Sequence, residues 1–168
     1  MSKVPGSFLR SAIAVTILLA PLPGCSVGGT AQVTAATATK GQTIPVTIAS
    51  AKGSHVFKVE VARTPADQEK GLMFRTDIPK EGGMIFTPYP ADGSPPREAS
   101  FWMKNTPSPL DIIFIRPDGT IAAIAENTVP FSETPVASGE PVNAVLEISG
   151  GRSAELGIVE GDKVSWPK

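Results

Sequence analysis

Apolar and polar positions begin to alternate near His55, where Phe57, Val59 and Val61 stand against Lys58 and Glu60. That period of two predicts a strand with one buried face. Thr64 then offers a side-chain cap, Pro65 a first helical position, Asp67 a third and Gly71 a stop, which together predict a short helix of about six residues. Met84-Ile85-Phe86 reads as a short apolar strand, and the Pro, Gly and Asp between Pro88 and Pro96 read as a loop. Phe101-Trp102-Met103 and Leu110 to Ile115 predict two further strands. Arg116-Pro117-Asp118-Gly119 then favours a tight hairpin into Thr120 to Glu126. A loop is expected from Asn127 to Pro141, followed by a strand at Ala144 to Ile148, a helical turn at Ser153 to Leu156 stopped by Gly157, and a last strand at Lys163 to Trp166. Many short strands with two short helices make the fold class α+β and predominantly β, a small barrel-like or sandwich domain of short antiparallel strands. The chain has no internal repeats, and its 17 Pro and 16 Gly argue against a helical bundle.

The N-terminal quarter follows different rules. Lys3 and Arg10 precede the apolar stretch Ala12 to Ala20, about half of what a permanent membrane-crossing helix needs, so residues 1–24 read as a signal peptide. Leu22-Pro23-Gly24-Cys25 resembles a bacterial lipobox, with Pro23 in place of the usual small or alcohol-bearing residue and Cys25 as the lipidated position. Cys25 is the one cysteine of the chain, so it has no intramolecular disulfide partner. Residues 25–52 are then expected to form a flexible Ala/Thr-rich tether, leaving 53–168 as a single globular domain. The expected setting is the periplasm or cell envelope. Ser26 after the cysteine resembles the signal for an outer-membrane lipid anchor.

Charge narrows the partners. Of 15 Lys and Arg, two lie in the export segment, leaving 13 against 16 Asp and Glu in the rest. Without a basic cluster the chain is not expected to bind nucleic acid. A monomer with no cofactor is expected.

Glu60-Val61-Ala62-Arg63-Thr64, Gly71-Leu72-Met73-Phe74-Arg75, Gly83-Met84-Ile85-Phe86, Phe101-Trp102-Met103-Lys104-Asn105-Thr106, Pro109 to Ile115 and Val145-Leu146-Glu147 occur in that order. Together they resemble a widespread prokaryotic family known as domain of unknown function 192, over about Val56 to Val164. The resemblance implies a compact, mainly β single domain, often exported. It brings no activity, substrate or cofactor with it.

Chemistry must therefore be sought in the residues themselves. His55 is the one histidine and stands at the edge of the domain, so a Ser-His-Asp or Cys-His relay and a two-histidine zinc site are hard to build. No catalytic residue is assigned. Gly82-Gly83 lacks the spacing of a nucleotide loop.

Asp111 and Glu147 each interrupt an apolar strand, and a carboxylate in such company needs a partner such as Arg75, Lys104, Asn105 or backbone amides. Trp102 beside Lys104 and Asn105 has the composition of a pocket that stacks a ring and fixes its polar groups. The expectation is a non-catalytic module for an unknown small ligand, such as a wall sugar or small polar metabolite, held by Arg75, Trp102, Asn105, Asp111 and Glu147. Two alternatives stand beside it. One is an envelope hydrolase using Asp111 and Glu147 as an acid/base couple, which needs carboxyl groups about 5 to 10 Å apart. The other is a soft-metal carrier holding Cu(I) with Met73, Met84 and Met103.

Overall fold

A computed structural model describes residues 42–168. The expected signal peptide, Cys25 and the part of the expected tether up to residue 41 lie outside the described residues. Nine strands and two helices follow: β1 (Ile44–Ser50), β2 (Gly53–Ala62), α1 (Pro65–Lys70), β3 (Gly82–Phe86), β4 (Arg97–Phe101), β5 (Leu110–Ile115), β6 (Ile121–Ala125), β7 (Val136–Val142), β8 (Ala144–Ser149), α2 (Arg152–Leu156) and β9 (Lys163–Ser165). Among the described residues no helix is long and apolar enough to cross a membrane.

Seven strands form one sheet in the order β6-β5-β8-β3-β2-β1-β9. Its two ends meet, because Thr120 bridges Lys163 and the Val164 amide donates to the Gly119 carbonyl at 2.8 Å, so the sheet is nearly a closed barrel. Most pairings are antiparallel. The β2–β3 pair is parallel, and such a pair needs a long crossover, here residues 63–81 with α1 in it.

Strand alternation divides the core in two. Ile113 and Ile115 of β5, Leu146 and Ile148 of β8, and Phe57 and Val59 of β2 belong to an inner cluster inside the barrel. Leu110, Ile112 and Phe114 of β5, Val145 of β8 and Phe86 of β3 belong to an outer one. The outer cluster is roofed by the two-stranded β4–β7 ribbon, which contributes Ala99 and Val142, and by Met103. Strands β5 and β8 are thus covered on both faces, which is why Leu110 to Ile115 is a continuous apolar run instead of an alternating one.

The capped helix is as expected. Thr64 Oγ1 accepts from the Asp67 amide at 3.1 Å and the Asp67 carboxylate accepts from the Thr64 amide, a reciprocal capping box.

Three expectations change. The domain starts before residue 53, since Ile44–Ser50 pairs with β2 and places Val46 and Ile48 in the inner core. The span from Asn127 to Pro141 is not all loop, because Val136–Val142 pairs with β4; Gly139 and Pro141 mask the alternation, and a register shift accompanies them. The strand expected at Phe101-Trp102-Met103 ends at Phe101, after which the chain turns through Asn105 at φ 55°.

Candidate functional site

Register decides where the two carboxylates go. Asp111 stands opposite Ile148 and Ile112 opposite Glu147, so Asp111 shares the inner face with Ile113 and Ile115 while Glu147 shares the outer face with Ile112 and Met84. They point to opposite sides of one sheet and cannot act together on one bond. The hydrolase couple that stood as an alternative reading of the sequence is thereby separated.

Asp111 is fully buried and fully used. Its Oδ1 accepts from the amides of Asn127 at 2.7 Å and Gly151 at 2.8 Å, and its Oδ2 from the amide of Ser153 at 2.6 Å. These bonds fix the loop after β6 and the first turn of α2 to β5, a structural task.

Glu147 has the opposite environment. It is 4% exposed, and its Oε2 has no hydrogen-bond partner among the described residues. Burial pushes its carboxyl up to about 8, so that it is largely protonated at neutral pH. It lines a hollow of about 290 Å³ together with Gly71, Phe86, Tyr89, Ser100, Phe101, Trp102 and Thr106, with Gln68, Glu69 and Lys70 of α1 and Met73 at its rim.

The walls are held from several directions. Phe101 meets Phe86 edge-on at 5.0 Å between ring centroids, Phe114 at 6.0 Å and Tyr89 at 5.8 Å, which seats the β4 ribbon on the sheet. Gln68 Nε2 donates to the carbonyls of Ala62 at 3.1 Å and Pro88 at 2.7 Å, tying α1 to the end of β2 and to the loop after β3.

Gly71 stops the helix at φ 47°, ψ −135°, a conformation that disfavours any side chain. A Cβ there would lie 3.2 Å from the Phe86 ring and 3.9 Å from Glu147 Oε2. The bare backbone therefore keeps a side chain out of the space beside the acid, whose Oε2 is itself closed to solvent.

The loops that bring Met73, Trp102 and Thr106 to the hollow are stitched by backbone bonds. The Phe74 amide donates to the Asn105 carbonyl at 2.7 Å, the Phe131 amide to the Thr106 carbonyl at 3.1 Å and the Met103 amide to the Ser132 carbonyl at 2.8 Å. Phe74, Asn105 and Phe131 all have positive φ, and the two phenylalanines are exposed. For bulky residues that conformation is strained and is held here by the cross-loop bonds.

Of the five residues expected to converge, Trp102 and Glu147 line the same hollow. Asn105 is not among the lining residues, but its Nδ2 donates at 3.9 Å to Sδ of Met73, which is. Arg75 belongs to a neighbouring hollow of about 400 Å³, which shares Lys70, Gly71 and Met73 with the first, and there it pairs with Glu60 at 3.0 Å and Asp77 at 3.2 Å. Asp111 is on the other face.

The three methionines do not stand apart from the packing either. Met84 and Met103 are buried in the outer core, and Met73 lies between the hollows. Among the described residues no group of three or more His, Cys, Asp or Glu could hold a metal ion. Sequence reasoning missed Gly71, Tyr89, Phe101, Ser100 and Thr106 as lining residues. Gly71 carried a signal as a helix stop, but its place above Glu147 follows from a crossover that no local pattern encodes.

Comparison with known proteins adds the family. The model of DUF192, described as an uncharacterized ACR, matches residues 46–166. A protein of unknown function from Novosphingobium aromaticivorans DSM 12444 has a solved structure similar to this one. It is 51% identical in sequence, the match covers 77% of this chain and 89% of that one, and the TM-score is 0.71. A proposed transcription regulator from Sinorhizobium meliloti 1021 is 41% identical over 74% of this chain and 93% of that one, with a TM-score of 0.68. No curated protein matches the chain.

Proposed function

The chain belongs to the DUF192 family, and from that premise we propose that it is a non-catalytic, monomeric binding module for a small ligand, lodged in the hollow floored by Glu147 and walled by Trp102. One observation carries the reading: a buried carboxyl with an unpartnered oxygen lines an open hollow. A fold that only needed to pack would place an apolar side chain there, because burying a polar group without a hydrogen bond is unfavourable by a few kcal/mol. A ligand that bonds this oxygen removes the penalty on binding. The aromatic wall suits a molecule with a ring or other flat apolar face, and the acid with the Ser100 and Thr106 hydroxyls suits its polar groups.

The compartment belongs to the same proposal. A lipid on Cys25 after removal of residues 1–24 would hold the module at the envelope, on the outer membrane, where small polar metabolites and wall sugars are available. The relative described as a transcription regulator does not redirect this reading, since the chain has no run of Lys and Arg to neutralise phosphates.

The test is titration with wall-sugar fragments and small polar metabolites, followed by tryptophan fluorescence and thermal shift. Trp102→Ala and Asn105→Ala should abolish or strongly weaken any response seen in the native protein. Responses that survive both substitutions refute the site. For the anchor, Cys25→Ala should move the protein from the detergent-soluble membrane fraction to the soluble one.

A further inference from the structure

The hollow has two features that narrow its ligand beyond a small molecule. The floor is a single carboxyl with an oxygen that no described residue satisfies. Around it stand Phe86, Tyr89, Phe101 and Trp102, whose ring faces carry negative electrostatic potential. Trp102 already holds an ammonium group, with Lys104 Nζ 5.0 Å from its ring centroid. We propose that the hollow takes a primary organic ammonium, whose N–H groups bond the Glu147 carboxylate and whose apolar part lies against Phe101 and Trp102. This rests on the binding-module reading above and names its ligand class.

The alternative use of a buried acid, donating its proton to a neutral ligand's oxygen, fits the surroundings less well. A neutral ligand would gain only stacking from the rings, whereas an ammonium gains from the negative potential of their faces as well as from the acid. The titratable groups facing Glu147 leave room for a cation. On the α1 side Glu69 and Lys70 offset each other at the rim, the segment after β3 contributes only Tyr89, Lys104 after β4 reaches the Trp102 ring, and the cross-strand neighbours Met84 and Ile112 do not titrate. The residues lining the hollow include no arginine and no histidine.

Binding would proceed with a balanced proton count. The neutral carboxyl loses its proton to solvent, the O–H bond breaks, and the resulting carboxylate pairs with an ammonium that keeps its own protons. Because burial holds the free carboxyl near 8, affinity for a fixed cation rises as pH rises and levels off above that value.

Isothermal titration of the full folded protein with benzylamine and with benzyl alcohol, as a neutral analogue of similar shape, tests this. Benzylamine should bind roughly tenfold tighter at pH 7 than at pH 6, with close to one proton released per ligand at pH 6 in two buffers of different ionisation enthalpy. Glu147→Gln, verified as folded by circular dichroism, should lose both the pH dependence and the proton release. Benzyl alcohol should bind at least tenfold more weakly. If benzyl alcohol or a neutral wall sugar binds through Trp102 and Glu147 as tightly as the amine and without proton release, the ammonium assignment fails and the binding hollow stands. If neither probe nor any wall sugar binds, or if binding is indifferent to Trp102→Ala, both fail.

Discussion

Asp111 and Glu147 lie on neighbouring strands, β5 and β8, and face opposite sides of the same sheet. On the inner side the fold brings three backbone amides to the carboxylate, from the end of β6 and from the first turn of α2. On the outer side it brings a glycine without a side chain, four rings and the hydroxyl residues Ser100 and Thr106, and no described residue bonds Oε2. One strand away, the same small domain shows that it can satisfy a buried acid completely. The bare oxygen at Glu147 is thus a property of that site and not a limit of the architecture, which makes it the better candidate for an encounter with something outside the chain.

The largest expected effect tests this contrast through pH. The folded carboxyl of Glu147 is raised to about 8 from 4.5, so the folded state binds the proton more tightly than the unfolded state. The stability this represents is fully present below pH 4.5 and is lost as pH climbs through 8, by about 5 kcal/mol at most. Urea denaturation of the native protein and of Glu147→Gln from pH 4.5 to 8.5 isolates it. The difference between the two should move in favour of the variant as pH rises, and a constant difference would show that Glu147 finds a partner in solution.

Next in size is Asp111→Ala. It strands three amides at once and should destabilise by about 3 to 4 kcal/mol at pH 7 in the same assay. Glu147→Leu should do the reverse and raise stability at that pH, since it replaces an unpartnered buried acid with apolar volume. Equal losses at the two positions would erase the distinction between a structural and a vacant acid.

Gly71→Ala comes third. The added methyl meets the Phe86 ring in a backbone conformation that L-residues rarely adopt, so a loss of about 2 kcal/mol is expected. The substitution also sets a methyl 3.9 Å from Glu147 Oε2 in the wall of the hollow, and binding should weaken more than stability explains, as measured by titration after checking that the protein remains folded.

How far these features were legible depends on how local they are. The helix from Pro65 to Lys70 was readable because Thr64, Pro65, Asp67 and Gly71 act on one another within a single turn or two. Asp111 and Glu147 were readable as anomalies, a charge inside an apolar run. Their opposite fates were not, because a face is assigned by register between strands distant in sequence, and Ile112 rather than Asp111 falls opposite Glu147. Strand β1 was hidden by Pro45, which lies beyond the three residues that β9 pairs with, so that a proline is accommodated inside a strand. Arg75 was expected beside Trp102, but the crossover turns its guanidinium toward Glu60 of β2. Composition singles out such a residue without saying which of two adjoining hollows it will enter.

The smallest expected change in stability is the most informative about function. Trp102 is 46% exposed, follows the end of β4 and belongs to neither core cluster. Its ring touches the Lys104 ammonium, a surface contact with little net effect. Trp102→Ala should therefore shift unfolding by no more than about 0.5 kcal/mol in urea, as surface substitutions do. The same change should remove most of the affinity for a ligand stacked on that wall, since aromatic contacts dominate small interfaces. Asp111→Ala should show the converse in any molecules that remain folded: a large loss of stability and near-native affinity. A tryptophan variant that unfolds readily would place Trp102 with Asp111 among the residues that hold the fold, and the outer face would then have no wall kept for a ligand.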